Sequence, residues 1–181
     1  MRHALKLHPD SPCVAAKRIE VKILRPNTGN LVIAYFVTGM IANLRIPSIV
    51  PAARADGLWQ TTCFEAFIRP SADTVYYEFN FAPSTQWAAY RFDSYRNGMQ
   101  ATTGMGAPRI DVQSSPGLFT LHASLDLDQL PGLRGDATWR LGLSAIVEET
   151  NGLKSYWALA HPPGKPDFHH ADCFSHDFTP A

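Results

Sequence analysis

The stretch TVYYEFNF (residues 74–81), followed after a short break by TQWAAYRF (85–92), shows the pattern that decides the fold. Apolar side chains occupy every second position of its first half: Val75, Tyr77, Phe79 and Phe81. A period of two places alternate side chains on opposite faces of a β-strand. Pro83 and Ser84 between the halves are turn-forming residues. The stretch therefore predicts two neighbouring strands joined by a tight turn.

Outward from this pair, seven further segments have strand character between Pro, Gly, Asn and Asp residues: 19–23, 31–38, 59–68, 109–113, 118–127, 138–148 and 153–160. Asn151-Gly152, between the last two, favours a hairpin turn. No long helical periodicity is present. We therefore predict an all-β, antiparallel two-sheet β-sandwich of immunoglobulin or jelly-roll type. It would have nine or ten strands in a single domain, residues 1–181, with a closed barrel as the alternative.

Composition limits the partners of this domain. Of the 181 residues, 45% are hydrophobic, which is enough to form a core. Sixteen basic side chains balance sixteen acidic ones, so the formal net charge is zero. Electrostatic capture of nucleic acid or of an anionic membrane is therefore not expected. Near-zero charge does not oppose self-association, and we expect a monomer or a homodimer.

The beginning of the chain and its cysteines indicate a compartment. Residues 1–9 contain no continuous apolar run, so they do not resemble a signal peptide. The longest apolar run, 31–37, is much shorter than the roughly 20 residues that span a bilayer. Three cysteines, at positions 13, 63 and 173, cannot all form pairs. Free thiols and a cytoplasmic location are the simplest interpretation.

One predicted sheet face mixes polar groups with aromatic rings. Alternation assigns to it Glu65, Glu78, Asn80, Arg91, Arg140 and Glu148, together with Trp59, Tyr76 and Trp87. Converging polar groups beside aromatic rings suit the recognition of a polar ligand. A solvated face with cross-strand ion pairs has the same pattern. The pattern alone leaves both interpretations open.

Three blocks of the chain resemble the signature of DOMON-like domains. They are DGLWQTTCFEAFI (56–68), YYEFNFAPS (76–84) with WAAY (87–90), and SYWALAHP (155–162), which runs on to KPDFH (165–169). DOMON-like domains are β-sandwiches related to family 9 carbohydrate-binding modules. The resemblance implies a ligand site on the sandwich for a sugar or for haem.

In the sugar-binding branch of this family, two tryptophans hold a sugar ring while a glutamate and an arginine bind its hydroxyls. Carried over to this chain, the resemblance implies Trp59 and Trp157 as the platforms, with Glu65 and Arg91 as the polar partners. The full set of candidate ligand-binding residues is Trp59, Glu65, Glu78, Asn80, Arg91, Trp157 and His161. The first interpretation is thus a non-catalytic module that binds a saccharide or a polyol.

Alternatives to sugar binding come from other residue groups. Haem in this family is held by methionine and histidine, and Met99 or Met105 with His161 or His169 would be the ligands. The dense C-terminal stretch offers His161, His169 and Cys173 as weak metal candidates, but without a recognised zinc spacing. Glu65 and Glu78 would be the paired carboxylates of a glycoside hydrolase. A protein-interaction scaffold that uses the outer sheet face is the last alternative.

Overall fold

The computed structural model describes residues 1–71, 73–133 and 138–179, and within them the chain is almost entirely β-structure. Twelve strands follow in chain order: β1 His3–Leu7, β2 Ala16–Leu24, β3 Asn30–Gly39, β4 Cys63–Pro70, β5 Tyr76–Phe81, β6 Trp87–Phe92, β7 Gln100–Ala101, β8 Arg109–Ser115, β9 Leu118–Asp126, β10 Trp139–Glu148, β11 Lys154–Ala158 and β12 His176–Phe178. Three short 3₁₀ helices lie at Ile41–Asn43, Leu58–Gln60 and Ala171–Cys173. No helix in these ranges has the length and apolar character needed to cross a membrane.

All ladders between these strands are antiparallel, and the strands form one strongly curled sheet. Their order is β7-β6-β5-β4-β10-β11-β1-β2-β3-β9-β8, and β12 pairs with β10 beyond the end of β11. Strand β1 joins the two halves of this sheet. Residues 3–5 pair with β2, and Lys6 and Leu7 pair with β11.

The prediction of an antiparallel all-β fold is confirmed, whereas the two-sheet sandwich and the number of strands are not. The two halves are not separate sheets, because β1 pairs with both of them. Nine predicted strands correspond to β2–β6 and β8–β11, whereas the described residues form twelve. The additional strands β1, β7 and β12 have only two to five residues each, too few for alternation to be visible.

One main core fills the space between the two halves. Phe64 of β4 stacks on Phe119 of β9 with 5.8 Å between ring centroids, and Tyr35 of β3 lies 5.0 Å from Phe64. The Tyr35 hydroxyl donates a 2.6 Å hydrogen bond to the Glu65 carbonyl oxygen across the core. Trp139 is completely buried at one end, as its alternation within β10 predicts.

The opposite face of β4, β5, β6 and β10 is buried as well. It contributes to a second apolar cluster with the C-terminal tail, where Phe168 and Phe174 pack. The tail's backbone approaches β10 closely at Gly142, where an added Cβ would lie 3.1 Å from the Cys173 carbonyl oxygen. The interpretation of this face as a solvated one is therefore wrong. Further along the tail, His176–Phe178 extend the sheet as β12, while 180 and 181 lie outside the described residues.

Candidate functional site

A cavity of about 390 Å³ opens on this second face, between the sheet, the turn before β7 and the C-terminal tail. It lies within the size range of small-molecule pockets, about 300–1,000 Å³. Its walls are mostly apolar and carry six aromatic side chains: Trp59, Phe67, Tyr90, Phe92, Tyr156 and Phe168. Its polar groups are few: Glu65, Glu78, Arg96 and His169. We call this cavity the sheet pocket.

The two carboxyl groups come from neighbouring strands. Glu65 of β4 pairs with Asn80, and Glu78 of β5 pairs with Phe67, so the two glutamates are diagonal neighbours on the pocket face. Glu65 accepts a 3.1 Å hydrogen bond from the Ser144 hydroxyl. Glu78 accepts a 2.7 Å hydrogen bond from the Asn80 side-chain amide. Only 3% of Glu65 and 7% of Glu78 is exposed.

Burial determines the protonation of this pair. It raises the pKa of Glu65 to about 8, and repulsion by Glu78 adds to the rise, while Ser144 and Arg96 oppose it. Burial also raises the pKa of Glu78, against the hydrogen bond from Asn80 and the attraction of Arg96. At neutral pH the pair therefore holds at least one proton, and a protonated carboxyl is both a donor and an acceptor.

Arg96 lies at the rim of the pocket, in the turn between β6 and β7. Its backbone φ is 53°, and its backbone N–H donates to the Tyr76 hydroxyl at 3.2 Å. Its guanidinium donates to the Asp167 carboxylate at 2.8 Å, and Tyr95 donates to the same carboxylate. Although partial burial opposes it, these hydrogen bonds and the charge of Arg96 lower the pKa of Asp167. The turn and the tail are thereby held together beside the cavity.

His169, from the tail, closes one side of the pocket. Its Nδ1 lies 2.8 Å from the Tyr76 hydroxyl, and its Nε2 lies 3.7 Å from a Glu78 carboxylate oxygen. Its ring packs edge-on against Phe67 and Phe92, each with 5.1 Å between centroids. Burial, together with the charge of Arg96, lowers the pKa of His169 to about 4. The imidazole is therefore neutral at physiological pH.

These contacts do not suit haem. An axial histidine needs one ring nitrogen free for iron, with the other held by a partner. Both nitrogens of His169 already face protein groups, although Met99 lines the same cavity. His161 has its Nε2 2.8 Å from the Lys6 carbonyl oxygen, but its Nδ1 is buried and the residue does not line the cavity that Met99 lines.

The C-terminal metal candidates are dispersed. Cys173 donates its thiol to the carbonyl oxygens of Ala160 and Asp167, each at 3.2 Å, whereas His169 faces Tyr76. In residues 1–71, 73–133 and 138–179, no three His, Cys, Asp or Glu side chains are grouped to hold a metal ion. Cys13, Cys63 and Cys173 are all unpaired.

The structure brings three of the seven predicted ligand residues together in the pocket: Trp59, Glu65 and Glu78. Trp59 reaches it from the 3₁₀ helix Leu58–Gln60, not from a strand, and 43% of Trp59 is exposed. Asn80 does not line the cavity; it is fully buried beside Glu65 in the sheet register and donates its side-chain amide to Glu78. His161 does not line the cavity; its ring packs against His8.

Arg91, which alternation placed on the polar face, and Trp157, which the resemblance implied as a platform, both lie on the main-core side of the sheet. Arg91 pairs with Tyr77, a main-core residue, and forms an ion pair with Asp93. Trp157 is 5% exposed in the main core and donates its indole N–H to Ser155. Its neighbour Tyr156 lines the pocket in its place. The two tryptophan platforms therefore do not face each other.

The phase of β6 caused part of this error. Trp87, predicted on the outer face, lies in the main core, because the turn after Phe81 pairs Phe81 with Trp87. Residues 87–92 are apolar on both faces, so alternation alone does not fix their phase. A tight turn that pairs Phe81 with Trp87 puts Trp87 on the same face as Phe81. Tyr90 and Phe92 then lie on the opposite face, where the pocket is. Arg140 and Glu148 do lie outside the core but pair with Asp177 and Arg45.

Comparison with solved structures shows that the fold of this chain is similar to that of a known protein. The structure of "a putative carbohydrate-binding protein" from Bacteroides uniformis ATCC 8492 superposes with a TM-score of 0.68 at 12% identity, over 95% of this chain and 83% of that one. The two chains share a fold. A family 9 carbohydrate-binding module from Caldicellulosiruptor kristjanssonii, in complex with glucose, gives a TM-score of 0.47 at 12% identity, over 88% and 76%. No protein-family model and no curated protein sequence matches the chain.

Proposed function

We propose that this protein is a non-catalytic binding module that holds a small saccharide or polyol in the sheet pocket. The observation that carries the proposal is the combination of aromatic side chains with two buried carboxyl groups in the lining of one cavity. A pyranose presents C–H groups to aromatic rings and hydroxyls to polar partners. A protonated Glu65 beside Glu78 offers these hydroxyls both a donor and acceptors.

Trp59 is the platform that a ligand would meet first. Its exposed position at the pocket rim suits stacking on a sugar ring, and the other three tryptophans are at most 6% exposed. The name of the Bacteroides uniformis protein, whose fold this chain shares, makes saccharides the first ligands to test. Ligand binding should therefore change the fluorescence of Trp59 far more than that of the buried tryptophans.

Replacing Trp59 by Ala should abolish ligand binding and leave the fold intact. The side chain is 43% exposed, so the expected loss in the free energy of unfolding is under about 1 kcal/mol. Calorimetric titration with a panel of mono- and disaccharides measures binding without relying on the fluorescence of the removed ring. Leu118→Ala, an exposed residue on β9 in the other half of the sheet, is the control and should bind as the wild type does.

The proposal fails if no sugar in the panel binds the wild-type chain up to millimolar concentration. It fails at the site if Trp59→Ala binds as well as Leu118→Ala does. Trp59→Phe keeps an aromatic face and should retain most of the affinity. Equal loss in Trp59→Phe and Trp59→Ala would contradict a stacking role.

A glycoside hydrolase is the second candidate, and one observation favours it: Glu65 and Glu78 line the same open cavity and have raised pKa values. A raised pKa is what a general acid needs, but hydrolysis also needs one ionised carboxylate. Turnover of chromogenic glycosides that is lost in Glu65→Gln would establish this function. We expect no turnover, because burial disfavours the ionised form of both groups.

A further inference from the structure

The two glutamates of the sheet pocket lack a cation of their own in the described part of the chain. Glu65 accepts a hydrogen bond from the neutral Ser144 hydroxyl, and Glu78 accepts one from the neutral Asn80 amide. The nearest ring nitrogen to Glu78, at 3.7 Å, belongs to the neutral imidazole of His169. Arg96 attracts both groups at longer range, but its guanidinium is hydrogen-bonded to Asp167. Two nine-tenths-buried carboxyl groups therefore line a cavity without an ion-pair partner.

Aromatic rings flank one of these carboxyl groups on both sides. In the sheet register Glu78 lies directly between Phe67 of β4 and Tyr90 of β6. Side chains opposite each other on neighbouring strands are about 4.5–5.5 Å apart at their Cβ atoms. The faces of aromatic rings attract ammonium groups, more strongly where water is excluded. Carboxylates between aromatic rings are a site for an organic cation.

Resting on the proposed function, we propose that the ligand carries a protonated amine, and that the sheet pocket binds an amino sugar or a similar amino polyol. The ammonium group would lie against Glu65 and Glu78, and the apolar face of the ring against Trp59. A neutral sugar brings no charge to offset an ionised carboxylate. The two carboxyl groups then stay protonated or share a proton, because burial destabilises the ionised form. An ammonium ion stabilises the ionised forms through charge-assisted hydrogen bonds.

The other charged and titratable groups around the pair do not cancel this preference. Arg96 is neutralised by Asp167, and His169 is uncharged. Tyr90 donates its hydroxyl to Asp56, and Arg54 nearby opposes the charge of Asp56, so this pair adds little net charge near the wall. Burial raises the pKa of the Cys63 thiol, so it stays uncharged. With both glutamates ionised, the surroundings of the cavity are net negative, as a cationic ligand requires.

Binding of such a ligand is linked to proton release. At pH 7 the carboxyl pair holds at least one proton that the bound ammonium group displaces, so close to one proton should leave per amine bound. Titration calorimetry in two buffers of different ionisation enthalpy measures this number. Binding of a neutral sugar should release none.

The experiment titrates the full chain at pH 7 with two matched sets of sugars. The first is glucose, glucosamine and N-acetylglucosamine; the second is galactose, galactosamine and N-acetylgalactosamine. An amine form should bind at least tenfold more tightly than its hydroxyl and acetylated counterparts, with proton release. Glu65→Gln should reduce this preference to threefold or less. Glu20→Gln, whose carboxylate pairs with Arg2 and Arg18 on β2, is the control and should keep it. Melting curves of both variants verify that they are folded.

Equal binding of the hydroxyl, amine and acetylated forms would overturn the amine proposal and leave the saccharide module standing. Binding of the acetylated form alone would do the same. No binding by any member of either set would overturn the amine proposal, and failure of the wider saccharide panel as well would remove the proposed function. Tight amine binding without proton release would also contradict the proposal, since the carboxyl pair would then not be its partner.

Discussion

Trp139→Ala is expected to lower the free energy of unfolding by about 3–5 kcal/mol, as truncation of a buried aromatic side chain does. Trp139 is completely buried at the start of β10, with the Arg25 guanidinium 3.8 Å from its ring centroid. The truncation removes this contact and leaves a cavity that the surrounding strands can fill only in part. Chemical denaturation followed by circular dichroism measures the change.

Trp59→Ala is the matched control, because it removes the same side chain from the pocket rim. Its expected destabilisation, under about 1 kcal/mol, is several times smaller. If Trp59→Ala unfolded the protein and Trp139→Ala did not, Trp59 would be a core residue and Trp139 would not. The sheet pocket would then belong to the core, and the binding proposal would lose its site.

Alternation predicted the fold where one face of a strand is clearly more apolar than the other. In β10, Trp139, Leu141, Leu143 and Val147 repeat at a period of two, and all of them lie in the main core. Strand β1 was not predicted, since HALKL has too few residues to show a period. That missed strand is also the one that joins the two halves, so the sheet connectivity was predicted incorrectly with it.

The site was predictable only where it is built from strands of known phase. Glu65 and Glu78 were placed by alternation, and both line the pocket. Arg96 lies in a turn, and Phe168 and His169 lie in a tail with no regular structure between 161 and 170. The position of such segments depends on contacts with residues that are distant in the sequence. A local sequence pattern carries no information about these contacts. Membership of the DOMON-like family stays a prediction.

The stability of the protein should fall as the pH rises from about 7 to about 8. The folded chain keeps a proton on Glu65 up to a pKa of about 8, whereas the unfolded chain releases it near 4.5. A carboxyl group whose pKa is raised by folding therefore stabilises the fold at low pH. This contribution is lost as the pH rises through the pKa of the folded state. Each pH unit in this window should cost up to about 1.4 kcal/mol. Glu78, with its pKa also raised, acts in the same direction.

Other groups titrate outside that window. His169, with its pKa lowered from 6.5 to about 4, makes the fold more stable as the pH rises between those values, the opposite direction. His161 and His176 have lowered pKa values as well and act in the same range. Burial raises the pKa values of Cys63 and Cys173 above 9, so the thiols matter only at higher pH. From about pH 7 the unfolded histidines have lost most of their protons, so the two glutamates dominate the interval from about 7 to about 8.

Glu65→Gln tests this assignment, because glutamine keeps the shape of the side chain and carries no titrating proton. Urea denaturation at intervals across the window should give a clearly smaller slope of stability against pH in this variant. A residual slope is expected from Glu78, which also loses the repulsion of Glu65. Glu20→Gln, whose carboxylate pairs with Arg2 and Arg18, should keep the wild-type slope. A wild-type stability that is flat across the window, or a Glu65→Gln slope equal to it, would mean that the pocket carboxyl groups ionise freely. The amine ligand would then have no proton to displace.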